Sequence, residues 1–286
     1  MAQWSAPVVI PNQTSKDSPS LAVINGGLHL LHLGESSNNI WHSVYNGASW
    51  SPNQPTGSQS HGFVAFAGGA GGGLAIFQDI NKEGDGTYGL IYSQYLPGWT
   101  RASRLPAPEP PTYGFTSEVP PALVLTPSGW LMVRVARINK TLAYATYVSS
   151  GQGVQLVESG LLPQRSKATP ALAQEGYATH MAHLGATSND IWYSPHVTAD
   201  NVRVPNQTSK ASPAMAVYNR IPHMVHLGDS SNNIWHSTYG NGMWSANTQI
   251  PNQSSSSPPA LAANTDGLHM VYKGDSSTRL YHSIYR

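Results

Sequence analysis

Apolar residues occur along this chain in short runs separated by Gly, Asn and Ser. Ser18 to Ile24 is small and apolar, Leu28 to Leu33 forms a second run, Asn39 to Tyr45 a third, and a fourth opens at Trp50. Asn25-Gly26-Gly27 and Asn46-Gly47 separate them, residues whose tolerance of positive φ suits tight hairpins. The pattern predicts four successive strands, A to D. The runs lack clean alternation, as expected of strands covered on both faces, and Pro19 falls at the start of strand A, where no ladder N–H is needed.

The four-run unit recurs. The stretch from Gln13, QTSKDSPSLAVINGGLHLLHLGESSNNIWHSVYNGASW, returns from Gln207 as QTSKASPAMAVYNRIPHMVHLGDSSNNIWHSTYGNGMW, with further copies from Gln164 and Gln253. Two degenerate copies lie between, GFVAFAG…GGLAIFQD…YGLIYSQY…GWTRASRL and VPPALVLT…GWLMVRVA…TLAYATYV…VQLVESGL. Taking Trp41, Tyr92, Tyr144, Trp192, Trp235 and Tyr281 as equivalent aromatics, the copies are 43–52 residues apart. That period belongs to propeller blades. The expected fold is all-β: one six-bladed β-propeller domain of four-stranded antiparallel blades. The blades are placed at about 13–55, 56–106, 107–163, 164–206, 207–252, and 253–286 plus 1–12. The last copy stops after strand C, and the opening QWSAPVVIPNQ matches MWSANTQIPNQ at strand D of the copy before it. The N-terminal strand therefore closes the ring.

In a four-stranded meander the B–C and D–A connections share one rim. The B–C loop reads GESSNN, GATSND, GDSSNN and GDSSTR, and the D–A loop reads NQTSK, NQRSK, NQTSK and NQSSS, whereas the opposite rim varies more. Short neutral hydrogen-bonding residues beside an aromatic suit a sugar, which needs hydroxyl partners and a flat apolar surface for its C–H face. The candidate sugar-binding residues are Ser15, Lys16, Glu35, Ser36, Ser37, Asn39 and Trp41 in the first copy, and Lys167, Ser188, Asp190 and Trp192 in the fourth. The fifth supplies Lys210, Asp229, Ser230, Ser231, Asn233 and Trp235, and the sixth Asp275, Ser276, Ser277 and Tyr281. The competing reading is that Ser, Thr and Asn only hold the turns.

Histidines recur as His29/His32, His180/His183 and His223/His226, with His269 followed by Tyr272. Residues three apart on a strand face opposite ways and cannot chelate one ion, so buried blade-to-blade hydrogen bonding is expected, with no metal and no cofactor. His42, His236 and His282 follow the aromatic and could reach the rim or an inter-blade cleft. Four N-x-S/T triplets begin at Asn12, Asn139, Asn206 and Asn252 and read as turns.

Composition bounds the partners. Net charge is +1 with no Lys/Arg run, which argues against nucleic acid or an anionic membrane surface. Cysteine is absent, excluding disulfides and thiolate chemistry. No signal peptide and no stretch of transmembrane length is visible, so a cytoplasmic protein, or one released without a conventional signal, is expected, with no membrane insertion. A homo-oligomer remains open.

The HLGxSSNxIW core with the neighbouring NQxSK-x-x-PALA segment resembles the Photorhabdus lectin family of β-propeller lectins over essentially the whole chain. The resemblance implies a multivalent lectin for L-fucose, D-galactose and O-methylated relatives, on glycans and glycoconjugates. Family members are seven-bladed, whereas this chain has room for six. Copies two and three lack the loop motif, so no site is expected there. The rivals are a protein-binding scaffold and a propeller glycoside hydrolase. A hydrolase needs two carboxylates about 5–10 Å apart. Asp79, Glu83 and Asp85 cluster in one loop, but no S-x-D-x-G-x-T-W box is present. The expectation is therefore that the protein is not an enzyme.

Overall fold

The computed structural model describes residues 2–83, 86–108, 116–117, 119–137, 139–150 and 152–286. Asp85 lies outside them. No helix occurs among the described residues, and the strands form six antiparallel blades around an axis. Blade I comprises β2 (Ser20–Ile24), β3 (Gly27–Leu33), β4 (Asn39–Tyr45) and β5 (Gln54–Gln59), after β1 (Val8–Thr14). Blade II holds β6 (Val64–Gly69), β7 (Gly72–Lys82), β8 (Tyr88–Tyr95) and β9 (Ser103–Arg104). Blade III holds β10 (Ala122–Thr126), β11 (Gly129–Val135), β12 (Thr141–Ser150) and β13 (Gly153–Arg165). Blade IV holds β14 (Ala171–Glu175), β15 (Ala178–Leu184), β16 (Asp190–Ser194) and β17 (Val202–Thr208). Blade V holds β18 (Ala214–Tyr218), β19 (Ile221–Leu227), β20 (Asn233–Gly240), the short β21 (Met243–Trp244) and β22 (Thr248–Ser254). Blade VI holds β23 (Ala260–Asn264), β24 (Gly267–Lys273) and β25 (Arg279–Tyr285), completed by β1.

Closure is as expected. β1 pairs with β25, Val8 opposite His282 and Val9 opposite Tyr281, and Gln3 and Ser5 extend the contact by donating to Arg286 and Ile284 carbonyls at 2.9 and 2.8 Å. The outer strands β1, β17 and β22 bulge at their Pro-Asn-Gln segments, where Asn12, Asn206 and Asn252 take φ of 56–57°. Asn tolerates this left-handed geometry better than most residues. Asn139 likewise caps a turn, its Oδ1 accepting from Thr141 N at 3.0 Å. The four triplets are turn chemistry.

The bulge turns the following Gln under the next blade. Buried Gln13 accepts from Ser43 Oγ at 3.1 Å and donates to the Ser51 carbonyl at 3.4 Å. Gln207 repeats this with Ser237 and Ser245, and Gln253 with Ser283 and Ser5. The apolar residues obey the same logic: six clusters form, one in each seam between adjacent blades. Ile24, Ile40 and Phe77, for example, join blades I and II, and Ile10, Leu30 and Val271 join VI and I.

Histidine chains complete three seams. Trp50 Nε1 donates to His282 Nδ1 at 3.2 Å, His282 Nε2 lies 3.0 Å from His269 Nδ1, and His269 Nε2 lies 2.9 Å from Asn264 Oδ1. One proton per ring, on Nε2, satisfies the chain. His29–His42 and His223–His236 pair at 2.9 Å, facing Tyr95 and Trp99 of blade II and Tyr285 and Trp4 of blade VI. In blade IV, Tyr193 takes the second position, its hydroxyl 2.6 Å from His180. The other histidines point the opposite way: His32 meets the Leu33 carbonyl and Asn53, and His183 the Leu184 carbonyl and Asn201. His42, His236 and His282 therefore line seams rather than reach the rim.

Two predictions follow from the seams. Deleting residues 1–10 removes Gln3 and Ser5 and the first three residues of the closing strand, Val8 to Ile10, the last of them 1% exposed, and opens sheet edges. The truncated chain is expected to melt lower or aggregate; an unchanged melting temperature contradicts closure. The second concerns acid. Burial lowers His29, His42, His223 and His269 to about 4, and burial with the adjacent His lowers His236 and His282 to about 3. Asp266 and Arg286 act in opposite directions on His269. The folded state thus prefers neutral rings while the unfolded chain binds protons below pH ~6.5. This stability is complete above pH ~6.5 and is withdrawn as pH falls toward 4. Calorimetry between pH 7.5 and 5, above the carboxylate range, should show a falling melting temperature. A flat profile contradicts the neutral chain.

Candidate functional site

The strand alternation of β4 decides which residues enter which seam. His42 meets Tyr95 and Trp99 of the following blade, while Ser43 and Tyr45 meet Gln13 and His269 of the preceding one. Trp41 shares the face of Ser43 and Tyr45, at the rim end of the cleft between blades VI and I. By the same alternation Trp192 lies between III and IV, Trp235 between IV and V, and Tyr281 between V and VI.

The two similar loops meet on one rim, as expected. Lys16 Nζ donates to Asn38 Oδ1 at 2.6 Å, and Lys167 and Lys210 do the same to Asn189 and Asn232. The backbone joins them too: the N–H groups of Ser60, Ser209 and Ser255 donate to the carbonyls of Asn38, Asn189 and Asn232 at 2.8–2.9 Å. Across the seams Asn189 donates to Asp229 and Asn232 to Asp275. Each of these two clefts therefore has an ordered Lys–Asn–Asp line at its mouth.

The leading glycine of the B–C loop has a steric reason. A Cβ on Gly34 would collide with Ser37 Oγ and sit 3.0 Å from Trp41 Nε1; on Gly228 it would meet Ser231 Oγ and lie 3.2 Å from Trp235 Nε1. On Gly274 it would lie 2.6 Å from Ser277 Oγ and 2.7 Å from Tyr281. Ser188 folds against Gly185 in the same way. Ser37, Ser188, Ser231 and Ser277 thus brace the loop, and the aromatic edge packs over it while remaining half exposed.

Several predicted residues take other places. Ser15 is fully buried, its hydroxyl bonded to the Asp17 carbonyl at 2.7 Å and its N–H to that of Thr278 at 2.8 Å. It leaves the candidate site, because a sugar cannot reach it. Asp190 is held by Arg203 at 2.7 Å on the outer strand, and Asn39 accepts from Gln59 at 2.8 Å; Asn233 occupies the same strand position as Asn39. Glu35, Ser36, Asp229, Ser230, Asp275 and Ser276 are exposed.

Tyr92 and Tyr144 are not the equivalents of Trp41. Trp41 pairs with His32, and the matching pairs are Phe77–Ile91 and Arg134–Ala143; Tyr92 and Tyr144 stand one residue later, where His42 stands. One residue reverses the face. Tyr92 accordingly points into the next seam, its hydroxyl 3.1 Å from Val154 N.

Ile91 leaves room where the first, fourth, fifth and sixth copies carry a large ring. Between blades I and II lies a cleft of about 600 Å³ lined by Gln59, Asp79, Trp99 and Arg101 among others. The signal in the sequence is the Trp99-Thr100-Arg101 of the second copy. On the axis, at the same rim, is a cavity of about 700 Å³. Among the described residues no three His, Asp or Glu side chains converge as a metal site.

No known protein family matches the chain, and no curated protein matches its sequence. Solved structures do. It is similar to a variant of the Aleuria aurantia lectin in complex with Fucalpha1-6GlcNAc, with TM-score 0.68 and 10% identity over 96% of each chain. It is similar to an alpha-L-arabinanase of Penicillium chrysogenum complexed with arabinobiose, with TM-score 0.66 and 12% identity over 99% of this chain and 98% of that one. A Trypanosoma rangeli sialidase in complex with the inhibitor DANA gives TM-score 0.64 and 9% identity, over 95% of this chain. The chain spans 55% of the length of that sialidase. At such identities these structures show a shared fold and no more. They also correct the expectation of a non-enzyme: this fold is shared end to end with a glycoside hydrolase, so lacking a sialidase box does not remove catalysis from consideration.

Proposed function

We propose that the protein binds neutral sugars of glycans, L-fucose or D-galactose and their O-methylated forms, at the rim clefts between blades. The observation that carries this is the repeated half-exposed aromatic edge of Trp41, Trp192, Trp235 and Tyr281 beside exposed hydroxyl, amide and carboxylate groups. An aromatic face covers the C–H side of a sugar while short polar groups meet its hydroxyls. Lys16, Lys167 and Lys210 act through Asn38, Asn189 and Asn232, orienting amides at the cleft mouths. The HLGxSSNxIW motif of the Photorhabdus lectins and the fold shared with the Aleuria aurantia lectin support the same reading. So does the absence of any Lys/Arg run that would favour an anionic partner.

Each cleft is small and open, so a single sugar binds weakly, with a dissociation constant of about 0.1–1 mM. Several clefts on one rim raise avidity about 10²–10⁴-fold on a glycan-covered surface. The second reading is glycoside hydrolysis. The full-length likeness to the arabinanase and the axial cavity bordered by Asp17 favour it.

The test is a glycan array followed by calorimetry on Trp41→Ala/Trp192→Ala/Trp235→Ala. The triple variant should keep its fold and lose agglutination of fucosylated or galactosylated cells, whereas Tyr92→Phe and Tyr144→Phe should retain it. Unchanged stoichiometry and affinity would mean that the aromatics only pack. Product release from nitrophenyl glycosides or arabinan would favour the hydrolase.

A further inference from the structure

We propose that the axial cavity is a separate, single binding site for a neutral amphipathic molecule, an alkyl or aryl glycoside, with its aglycone in the channel and its sugar at the lip. This goes beyond the cleft reading and does not rest on it. The cavity holds about 700 Å³ and opens on the repeated rim. That volume accommodates a drug-sized ligand, and such sites are mainly apolar with a few polar groups fixing orientation.

The floor comes from the innermost strands. Leu21, Leu123, Leu172, Met215 and Leu261 line it, one from each of blades I, III, IV, V and VI. Above them stands a collar of Pro19, Pro121, Pro170, Pro213 and Pro259, each immediately before its strand, with Val64 at that register position in blade II. Pro suits the strand start, where no ladder N–H is needed. The lip carries Asp17 on blade I and Lys167 on the diametrically opposite blade IV, with Ser18 and Ser212 between.

The symmetry breaks at one place. His61 stacks on Tyr88 with ring centroids 3.6 Å apart, Lys82 lies 5.7 Å from the Tyr88 ring, and both rings line the cavity. Gln78, beside them, is anchored to the Ser117 carbonyl at 2.8 Å. The second copy departs from the repeat, and two of its departures, His61 and Tyr88, converge on this cavity. An aromatic platform on one side of a pseudo-sixfold collar fits one asymmetric ligand per chain, whereas the clefts repeat. Aromatic faces and neutral hydroxyls at the lip favour a sugar head over a charged one.

The test is fluorescence titration of the full chain with N-phenyl-1-naphthylamine. One probe per chain is expected, displaced by octyl glucoside below its micelle concentration and not by glucose. Met215→Trp, which fills the floor, should abolish saturable probe binding. Tyr88→Ser lies at the lip and leaves the floor intact, so it should retain the probe and weaken octyl glucoside about three- to tenfold, which decides the matter if Met215→Trp fails to fold. Absence of a saturable site, binding unaffected by Met215→Trp in a folded protein, or octyl glucoside affinity unaffected by Tyr88→Ser overturns the proposal. Agglutination measured on the same samples separates the readings: probe binding without agglutination sinks only the clefts, and agglutination without probe binding sinks only the axial site.

Discussion

The seams between blades are what the rest of the structure depends on. Each of the six apolar clusters draws on two neighbouring blades, so a blade detached from its neighbour has half a core. Burial of apolar area is the main favourable contribution to folding, and here it exists only when the ring is complete. The N-terminal strand follows from this: without β1, the last blade lacks its outer strand and the VI–I seam lacks Ile10. The buried polar groups face the same constraint. Gln13, Gln207 and Gln253 find their partners one blade away, and the His–His pairs in three of the seams lie against aromatic side chains of the next blade.

This sorts the repeated residues into two groups. Ser15, Gln13, Ser37 and Gly34 recur because the copies that share them build the same bulge, turn and close approach, and their repetition says nothing about a ligand. Glu35, Ser36, Asp229, Ser230, Asp275 and Ser276 recur on the exposed side, where no packing demand holds them. The aromatic belongs to both groups. One edge of Trp41 covers Gly34 while the residue stays half exposed, so a single side chain braces the loop and faces the cleft.

Much of this was legible in the amino-acid order. Self-similarity carried the blade count, the matching WSA…PNQ segments carried closure, and the three-residue spacing of His29 and His32 placed them on opposite faces. Tyr92 and Tyr144 were misplaced because degenerate copies offer two adjacent positions to an aromatic ruler, and only strand pairing distinguishes them. Ser15 looked like a rim hydroxyl because a turn serine and a binding serine are the same residue type. The cleft at Trp99 and Arg101 was missed because it arises from an absent side chain, Ile91 in place of Trp. The exclusion of catalysis rested on the scarcity of paired carboxylates and on a missing sialidase box, and a fold shared with an arabinanase and a sialidase reopens the question.

The central claim is that the rim aromatics face sugar. Indole N–H resonances of the eight tryptophans, followed by two-dimensional NMR while L-fucose or D-galactose is added, test it directly. The account predicts that the signals of Trp41, Trp192 and Trp235 move together along saturable curves in the 0.1–1 mM range or somewhat above, while Trp130 and Trp244, buried in the seams, stay still. Saturable shifts that leave Trp41, Trp192 and Trp235 unmoved would contradict it, as would no shift with either sugar.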